Sequence, residues 1–516
     1  MSTIVIGAAP GRARRMTLAA GRRVVADRRV AAAVALGVGL IGGLGTDLFA
    51  ARGATTMTQA LLIMVVALAI GVIAGALART RWIIVPLAAI YIVGVELGRL
   101  DLVGPSLAIR FDNMYGIIAF VLARGLHGTL AFLPLTVGVL VGIGAARRAG
   151  FLPASRRRPF GTAILGAAVV ALAVLVAWPA STPPVLGSDG LPVPGSIAEL
   201  ATVNLGGTDQ SVMIRAADPD KPVLLYLAGG PGQSDMALVR AQVTELQHDF
   251  VFVALDQRGN GKSYTAIDPV SSMTIDRAVA DVIELTDYLR ARFDEQKIYL
   301  MGESWGTILG VRTVQQRPDL YHAWIGSGQM AAIVETDRII YADLVAYAES
   351  SGNTDLAANL AAIGEPPYAD IPWANSNLLT WYDYIYAPYT PSAGYMARGM
   401  AAGLDNFGIF GSEYNFVEKA GVLRGLMDTF ALIYPQLYEI DLRISANRLE
   451  VPVWVLDGAA ELQGRRDIAL EWFEGLDAPS KQLVTYANAA HATAFEQGDE
   501  VLRLLNETIV PATYGK

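Results

Sequence analysis

The stretch KIYLMGESWGTILG, residues 297–310, runs from an apolar strand-like segment through a Gly-x-Ser-x-Gly turn into a helix-like one. Gly302, Gly306 and Gly310 remove side chains where a sharp turn and close packing need room. A serine at such a corner has its hydroxyl exposed and the N-terminus of the next helix aimed at it, which favours negative charge nearby. The pattern predicts an elbow at Ser304, on condition that a parallel sheet surrounds the strand and that partner residues follow.

The surroundings supply the sheet. SVMIRA, PVLLYLA, FVFVAL, AWIGSG, VPVWVLD and KQLVTYA are further short runs, several apolar throughout, as strands buried on both faces of a mostly parallel sheet are. Helix-like stretches separate them, which is an α/β pattern with helices on both faces. From about Ala331 to Leu449 the alternation stops and Tyr, Trp and Ala recur at helical spacing, broken by GEPPYADIPW and APYTPSAGY. An insertion of that size predicts a helical cap over a site. The expected core is 197–330 and 450–516, with the cap at 331–449 and no internal repeat.

The chain has 516 residues, 53% of them hydrophobic, and the apolar excess lies in front. Residues 1–180 hold 18 Arg, no Lys and five acids, a net charge of +13, against −21 for residues 181–516. Apolar runs at 30–45, 57–78, 82–95, 128–146 and 161–180 reach or approach the roughly 20 helical residues that cross a hydrocarbon core. About five transmembrane helices are expected in 1–180, with the lipid bilayer met through residues 30–180. The Pro-, Gly- and Ser-rich STPPVLGSDGLPVPGS at 181–196 reads as a linker.

With five crossings, the segments 1–30, 79–81 and 147–158 put fourteen arginines on one side against four on the other. That bias predicts a cytoplasmic N-terminus and an extracytoplasmic domain after Ala180, in a plasma membrane of bacterial type. The arginine-rich start reads as an uncleaved anchor rather than a signal peptide. Residues 105–127 read as an interfacial helix, with Arg124 and His127 the candidates for a buried polar pair.

With no cysteine, thiolate zinc sites and disulfides are excluded. The four histidines, His127, His248, His322 and His491, show no metal-ligand spacing, so no metal and no cofactor is expected. Only His322 and His491 follow Ser304. His322 precedes the cap at a strand start, whereas His491, in VTYANAAHATAF, follows the last strand in a loop of small residues and is the expected base. The acid that orients it should lie just past VPVWVLDG, where Asp457, Glu461 and Asp467 compete; Glu461, out in the loop, is favoured.

Backbone N–H groups for an oxyanion are expected from Trp305 and from LAGGPGQS (227–234), with Gly230 ahead of Gly229. The GKS of DQRGNGKS (256–263) ends like a phosphate-binding loop, but Asp256 stands where that motif requires glycine, so no nucleotide site is expected. The acidic second half also argues against nucleic acid as a partner.

Taken together, AGGPG, DQRGNGKS, GESWGT and the late His491 resemble the proline iminopeptidase family of α/β-hydrolases over residues 200 to 512. Three positions depart from the family's usual motifs: Ala228 stands for His before Gly-Gly-Pro-Gly, Glu303 for the second Gly of the elbow, and Glu461 for the Asp of the acid. DGAAE falls where the family has His-Gly-Arg-x-Asp, which supports Glu461 as the acid. The resemblance implies a serine aminopeptidase that holds the free amine of a short peptide with cap carboxylates. SEYNF (412–416) is similar to the family's Glu-x-His-Tyr-Phe element and makes Glu413 the implied amine anchor, with Asp383 of TWYDY second. Rival expectations are an esterase or lipase acting on a small acyl substrate, and a membrane protein whose hydrolase-like domain only binds ligand.

Overall fold

The computed structural model describes residues 27–111, 114–153, 160–379, 381, 389–401, 409 and 411–515. The arginine-rich start before residue 27, Arg156 to Arg158 and Asp383 lie outside the described residues. The chain divides into two compact units, one comprising 1–102 and 123–178, the other 103–122 and 179–516.

Among the described residues five helices are long and apolar enough to cross a membrane: Arg28–Ala50 (α1), Met57–Ala78 (α2), Arg81–Gly98 (α3), Gly116–Arg148 (α4) and Phe160–Ala177 (α5). Two pairs of small residues set the packing. A β-carbon at Gly71 or Gly75 of α2 would strike the carbonyl oxygens of Leu135 and Val139, and one at Gly138 or Gly142 of α4 those of Leu68 and Val72. Glycines four residues apart on both helices thus let the backbones touch, the arrangement that drives helix association where water provides no hydrophobic force. Gly43 of α1 and Gly94 of α3 do the same for that pair. Hydrogen bonds add to it, between the Thr46 and Tyr91 hydroxyls at 3.1 Å and between the Tyr91 hydroxyl and His127 Nε2 at 3.3 Å. Arg124 pairs with Glu96 at 2.7 Å.

Residues 105–127 are not a separate interfacial helix. Met114–Phe120 is helical, Val121–Gly125 is a π turn, and Leu126–Arg148 is helical again, with Pro134 inside it. The preceding turn packs in the second unit instead. Buried Ser106 donates from its N–H and its hydroxyl to Asp428 at 2.7 and 2.5 Å, and Arg110 meets Asp370 at 2.6 Å.

The second unit is built on an eight-stranded sheet: β1 (Ile197–Leu205), β2 (Thr208–Ala216), β3 (Val223–Leu227), β4 (Val251–Asp256), β5 (Ile298–Glu303), β6 (Tyr321–Ser327), β7 (Val453–Gly458) and β8 (Lys481–Tyr486). The order is β1-β2-β4-β3-β5-β6-β7-β8, antiparallel from β1 to β4 and parallel thereafter. Side chains alternate between two cores: Val223, Leu225 and Leu227 face one, Leu224 and Tyr226 the other. The chain therefore has an α/β-hydrolase fold with helices covering both faces. β1 has no counterpart among the sequence-based strands, because IAELATVNL is a half-buried edge strand with mixed polarity.

Between β6 and β7 the described residues form helices that include Ile333–Ser351, Thr354–Ile363, Ile371–Leu379, Ala393–Ala401 and Glu418–Leu437. Residues 181–196 are not a free spacer: Ser181 N–H bonds the Ser412 carbonyl at 2.9 Å, and Arg215 bonds the Thr182 hydroxyl and the Pro183 carbonyl at 2.6 and 2.7 Å.

Candidate active site

Ser304 lies between β5 and the helix Trp305–Gln316 (α6) with φ 55° and ψ −122°, a strained conformation for a residue with a side chain. The two flanking glycines are what permit it. A β-carbon at Gly302 would meet the Gly306 carbonyl, and one at Gly306 would meet the Leu227 carbonyl of β3. The Ser304 N–H donates to the Ser327 carbonyl at 3.1 Å, and the Ser304 carbonyl accepts from the Thr307 hydroxyl at 2.6 Å, so the turn is pinned on both sides.

The imidazole comes to this corner from the loop after β8. Gly328, directly after the residue that holds the Ser304 N–H, lies against His491, where a β-carbon would come within 3.1 Å of Nδ1. His491 Nδ1 bonds the Glu461 carboxylate, whose other oxygen accepts the Leu462 N–H at 2.7 Å with Arg465 at 3.5 Å. The Glu461 side chain is almost wholly buried. The competing acids are engaged elsewhere: Asp457 with Arg466 and Thr485 at 2.8 and 2.9 Å, Asp467 with Gln463 at 3.1 Å. His322 is packed between the Tyr299 and Tyr514 rings, and burial pushes its pKa down.

Gly229 packs against Ser304, where a β-carbon would lie 3.2 Å from Ser304 Cβ and 2.6 Å from Glu303 Oε2. Gly230 takes φ 107°, open only to glycine, and among the described residues neither its N–H nor that of Trp305 has an acceptor. Gln257, from the DQRG segment, ties the two loops together: its amide donates to the Ala228 carbonyl and accepts from the Trp305 indole N–H, both at 2.9 Å. That positioning role was readable only as a motif, since the two bonds join residues 29 and 48 positions away.

Glu413, the amine anchor implied by the resemblance, is fully buried and ion-paired to Arg240 at 2.5 Å. Its neighbour Tyr414 instead reaches Asp256, at 3.1 Å. Burial raises the Asp256 carboxyl to a pKa of about 7.

A carboxyl not foreseen as functional stands at the site. Glu303 is 5% exposed, with Oε1 3.9 Å from His491 Nε2. Burial, and the charges of Asp235, Glu461 and Glu496, hold its pKa well above the usual carboxylate range, with Arg465 opposing them.

Residues 222–350 match the α/β-hydrolase fold family model. The chain is 31% identical over 309 residues to the probable aminopeptidase YbaC of Bacillus subtilis, a match covering 60% of this chain and 95% of that one. Among solved structures, the proline iminopeptidase-related protein of Thermus thermophilus is similar at 18% identity and a TM-score of 0.43, over 61% of this chain and 98% of its own. The proline iminopeptidase of Mycobacterium smegmatis is similar at 15% identity and a TM-score of 0.42, with 61% and 98% covered. With its glycine-pinned serine corner, and a curated relative matched over nearly its whole length, the chain belongs to the α/β-hydrolase family of that probable aminopeptidase.

Proposed function

We propose that this protein is a membrane-anchored serine aminopeptidase that releases N-terminal residues from short peptides on the extracytoplasmic side of the membrane. The observation that carries the reading is the buried Glu461 carboxylate on His491 Nδ1 beside a strained, glycine-flanked Ser304. Arginine asymmetry around five membrane-length helices supports the orientation.

In this mechanism Ser304 Oγ attacks the acyl carbon of the first peptide bond while His491 Nε2 takes the hydroxyl proton. Glu461 fixes the tautomer with Nε2 unprotonated and stabilises the imidazolium that forms. The carbonyl oxygen becomes an oxyanion between the N–H groups of Gly230 and Trp305, at the positive end of α6. His491 returns the proton to the leaving amine as the C–N bond breaks, leaving an aminoacyl ester on Ser304. Water, deprotonated by the same imidazole, hydrolyses that ester and regenerates the hydroxyl.

The test is turnover of L-prolyl, L-alanyl and L-leucyl p-nitroanilides by the full chain in detergent, beside Ser304→Ala. Release of nitroaniline by the wild type, reduced at least about a thousandfold in the variant, is expected. Turnover of p-nitrophenyl esters with no anilide cleaved would replace the reading with an esterase.

A further inference from the structure

We infer that Glu303, the residue directly before the nucleophile, is the carboxylate that holds the free α-amine of the substrate, a specificity-determining contact for the aminopeptidase reading on which it rests. Four carboxyl groups gather around the serine corner: Asp235, Glu303, Glu461 and Glu496. Three of them have donors. Asp235 accepts the Tyr226 hydroxyl at 2.9 Å and the Gln233 amide at 2.7 Å. Glu461 holds His491 and the Leu462 N–H, and Glu496 accepts the Tyr389 hydroxyl and, at 3.0 Å, the Ala490 N–H. Glu303 is the exception. Among the described residues no hydrogen bond is given to its carboxylate, and Oε1 lies 3.9 Å from His491 Nε2, beyond hydrogen-bond reach.

Glu303 is 5% exposed, so its carboxylate, without a protein donor, keeps only a narrow opening through which a ligand can complete it. The ligand that would do so is a cation with hydrogens to donate. The local charge agrees, since Arg465, a cation that favours the ionised form of Glu303, is shared with Glu461, 3.5 Å away.

Geometry restricts that cation to the substrate's own amine. In an aminoacyl substrate the amine nitrogen is two bonds, about 2.5 Å, from the carbon under attack. That carbon must approach Ser304 within about 3–3.5 Å. His491 Nε2 must stand roughly 3 Å from the same hydroxyl. A carboxylate 3.9 Å from Nε2, with its other oxygen against Gly229, borders the space an α-ammonium would fill. Glu413 cannot compete for it while its charge is neutralised by Arg240. An N-acylated peptide offers no cation there and leaves Glu303 uncompensated, so the same residue selects for a free terminus.

The experiment compares kcat/KM for L-alanine p-nitroanilide with kcat/KM for p-nitrophenyl butyrate, in the full chain in detergent, for wild type, Glu303→Gln and Glu303→Asp. The ester has no amine, so the anilide-to-ester ratio isolates amine recognition from triad chemistry. Glu303→Gln is expected to lower that ratio roughly 10- to 100-fold, the worth of one charge-assisted hydrogen bond. Glu303→Asp, which keeps the charge, is expected to recover part of it. A ratio unchanged in both variants, each with a wild-type melting temperature, overturns the assignment while leaving the aminopeptidase reading intact. If Glu303→Gln does not fold, a Glu303→Asp ratio equal to wild type, with N-acetyl-alanine p-nitroanilide cleaved as well as the free-amine form, overturns it. Wild type that cleaves the ester and the N-acetylated anilide but not the free-amine anilide refutes the aminopeptidase reading, and the inference with it.

Discussion

Replacing Glu461 by glutamine keeps the size of the side chain and a carbonyl that can still accept the Leu462 N–H, but removes the charge facing His491. The Glu461 side chain is 6% exposed, so the lost attraction to the imidazolium acts in a partly desolvated setting. For unit charges about 4 Å apart at an effective dielectric of about 20 it is worth about 4 kcal/mol. Each 1.4 kcal/mol is about tenfold in rate, so kcat for L-alanine p-nitroanilide should fall about a thousandfold, with KM little changed. An amide that donates toward Nδ1 would also favour the wrong tautomer and deepen the loss. The comparator is Asp457→Asn: Asp457 is held by Arg466 and Thr485, and the variant should lower kcat less than about threefold. Steady-state kinetics on the full chain in detergent, with a melting curve for each variant, decide it. A fall below tenfold in a folded Glu461→Gln, or an equal fall in Asp457→Asn, would refute the assignment of Glu461.

Burial and neighbouring carboxylates raise the Glu303 pKa, and Asp235, Glu461, Glu496, Arg465, His491, Tyr226 and Tyr395 are the titratable groups around it. A raised acid is neutral at low pH and cannot hold an ammonium, so the anilide-to-ester ratio should rise as pH passes upward through its pKa. In Glu303→Gln that rising limb should vanish; its persistence would assign the limb to another group. Asp428 is fully buried and accepts from the Ser106 N–H, the Ser106 hydroxyl and the Tyr264 hydroxyl. Asp428→Ala should cost about 3–6 kcal/mol through the stranded donors and lower the melting temperature on the order of 10 °C; a shift under 2 °C, well below that scale, would refute the packing of Ser106 described above. A fragment starting at Ser181 lacks Ser106 and should likewise melt below the full chain. Because the chain has no cysteine, Ser188→Cys and Ala149→Cys report topology directly. In intact cells a membrane-impermeant maleimide should label the first and not the second, and the reverse pattern would invert the proposed orientation.

The serine corner was legible because its chemistry demands particular residues at fixed spacing: Gly302 and Gly306 have no room for a β-carbon, and a strand and a helix must flank them. Glu461 was legible for a related reason, since a loop carboxylate just past β7 can reach an imidazole just past β8. The β1 edge strand was not, because an edge satisfies fewer burial constraints and its sequence mixes polar with apolar residues. The fate of Glu413 depends on Arg240, 173 positions away, a pairing that one sequence does not display. Glu303 stood out as a departure from the motif, but its burial and its lack of a donor emerge only when four loops converge. The glycine pairs Gly71/Gly75 and Gly138/Gly142 carried a readable small-residue spacing, whose meaning depends on which two helices meet.

The central claim is that Ser304 is a nucleophile activated by His491. A fluorophosphonate probe reacts covalently with an activated serine hydroxyl, and peptide mass mapping of the labelled full chain locates the adduct. One phosphonyl group on the peptide carrying Ser304, absent from Ser304→Ala and strongly reduced in His491→Ala, is the predicted result. No adduct on the folded wild-type protein, or an adduct that persists on another residue in Ser304→Ala, would contradict it.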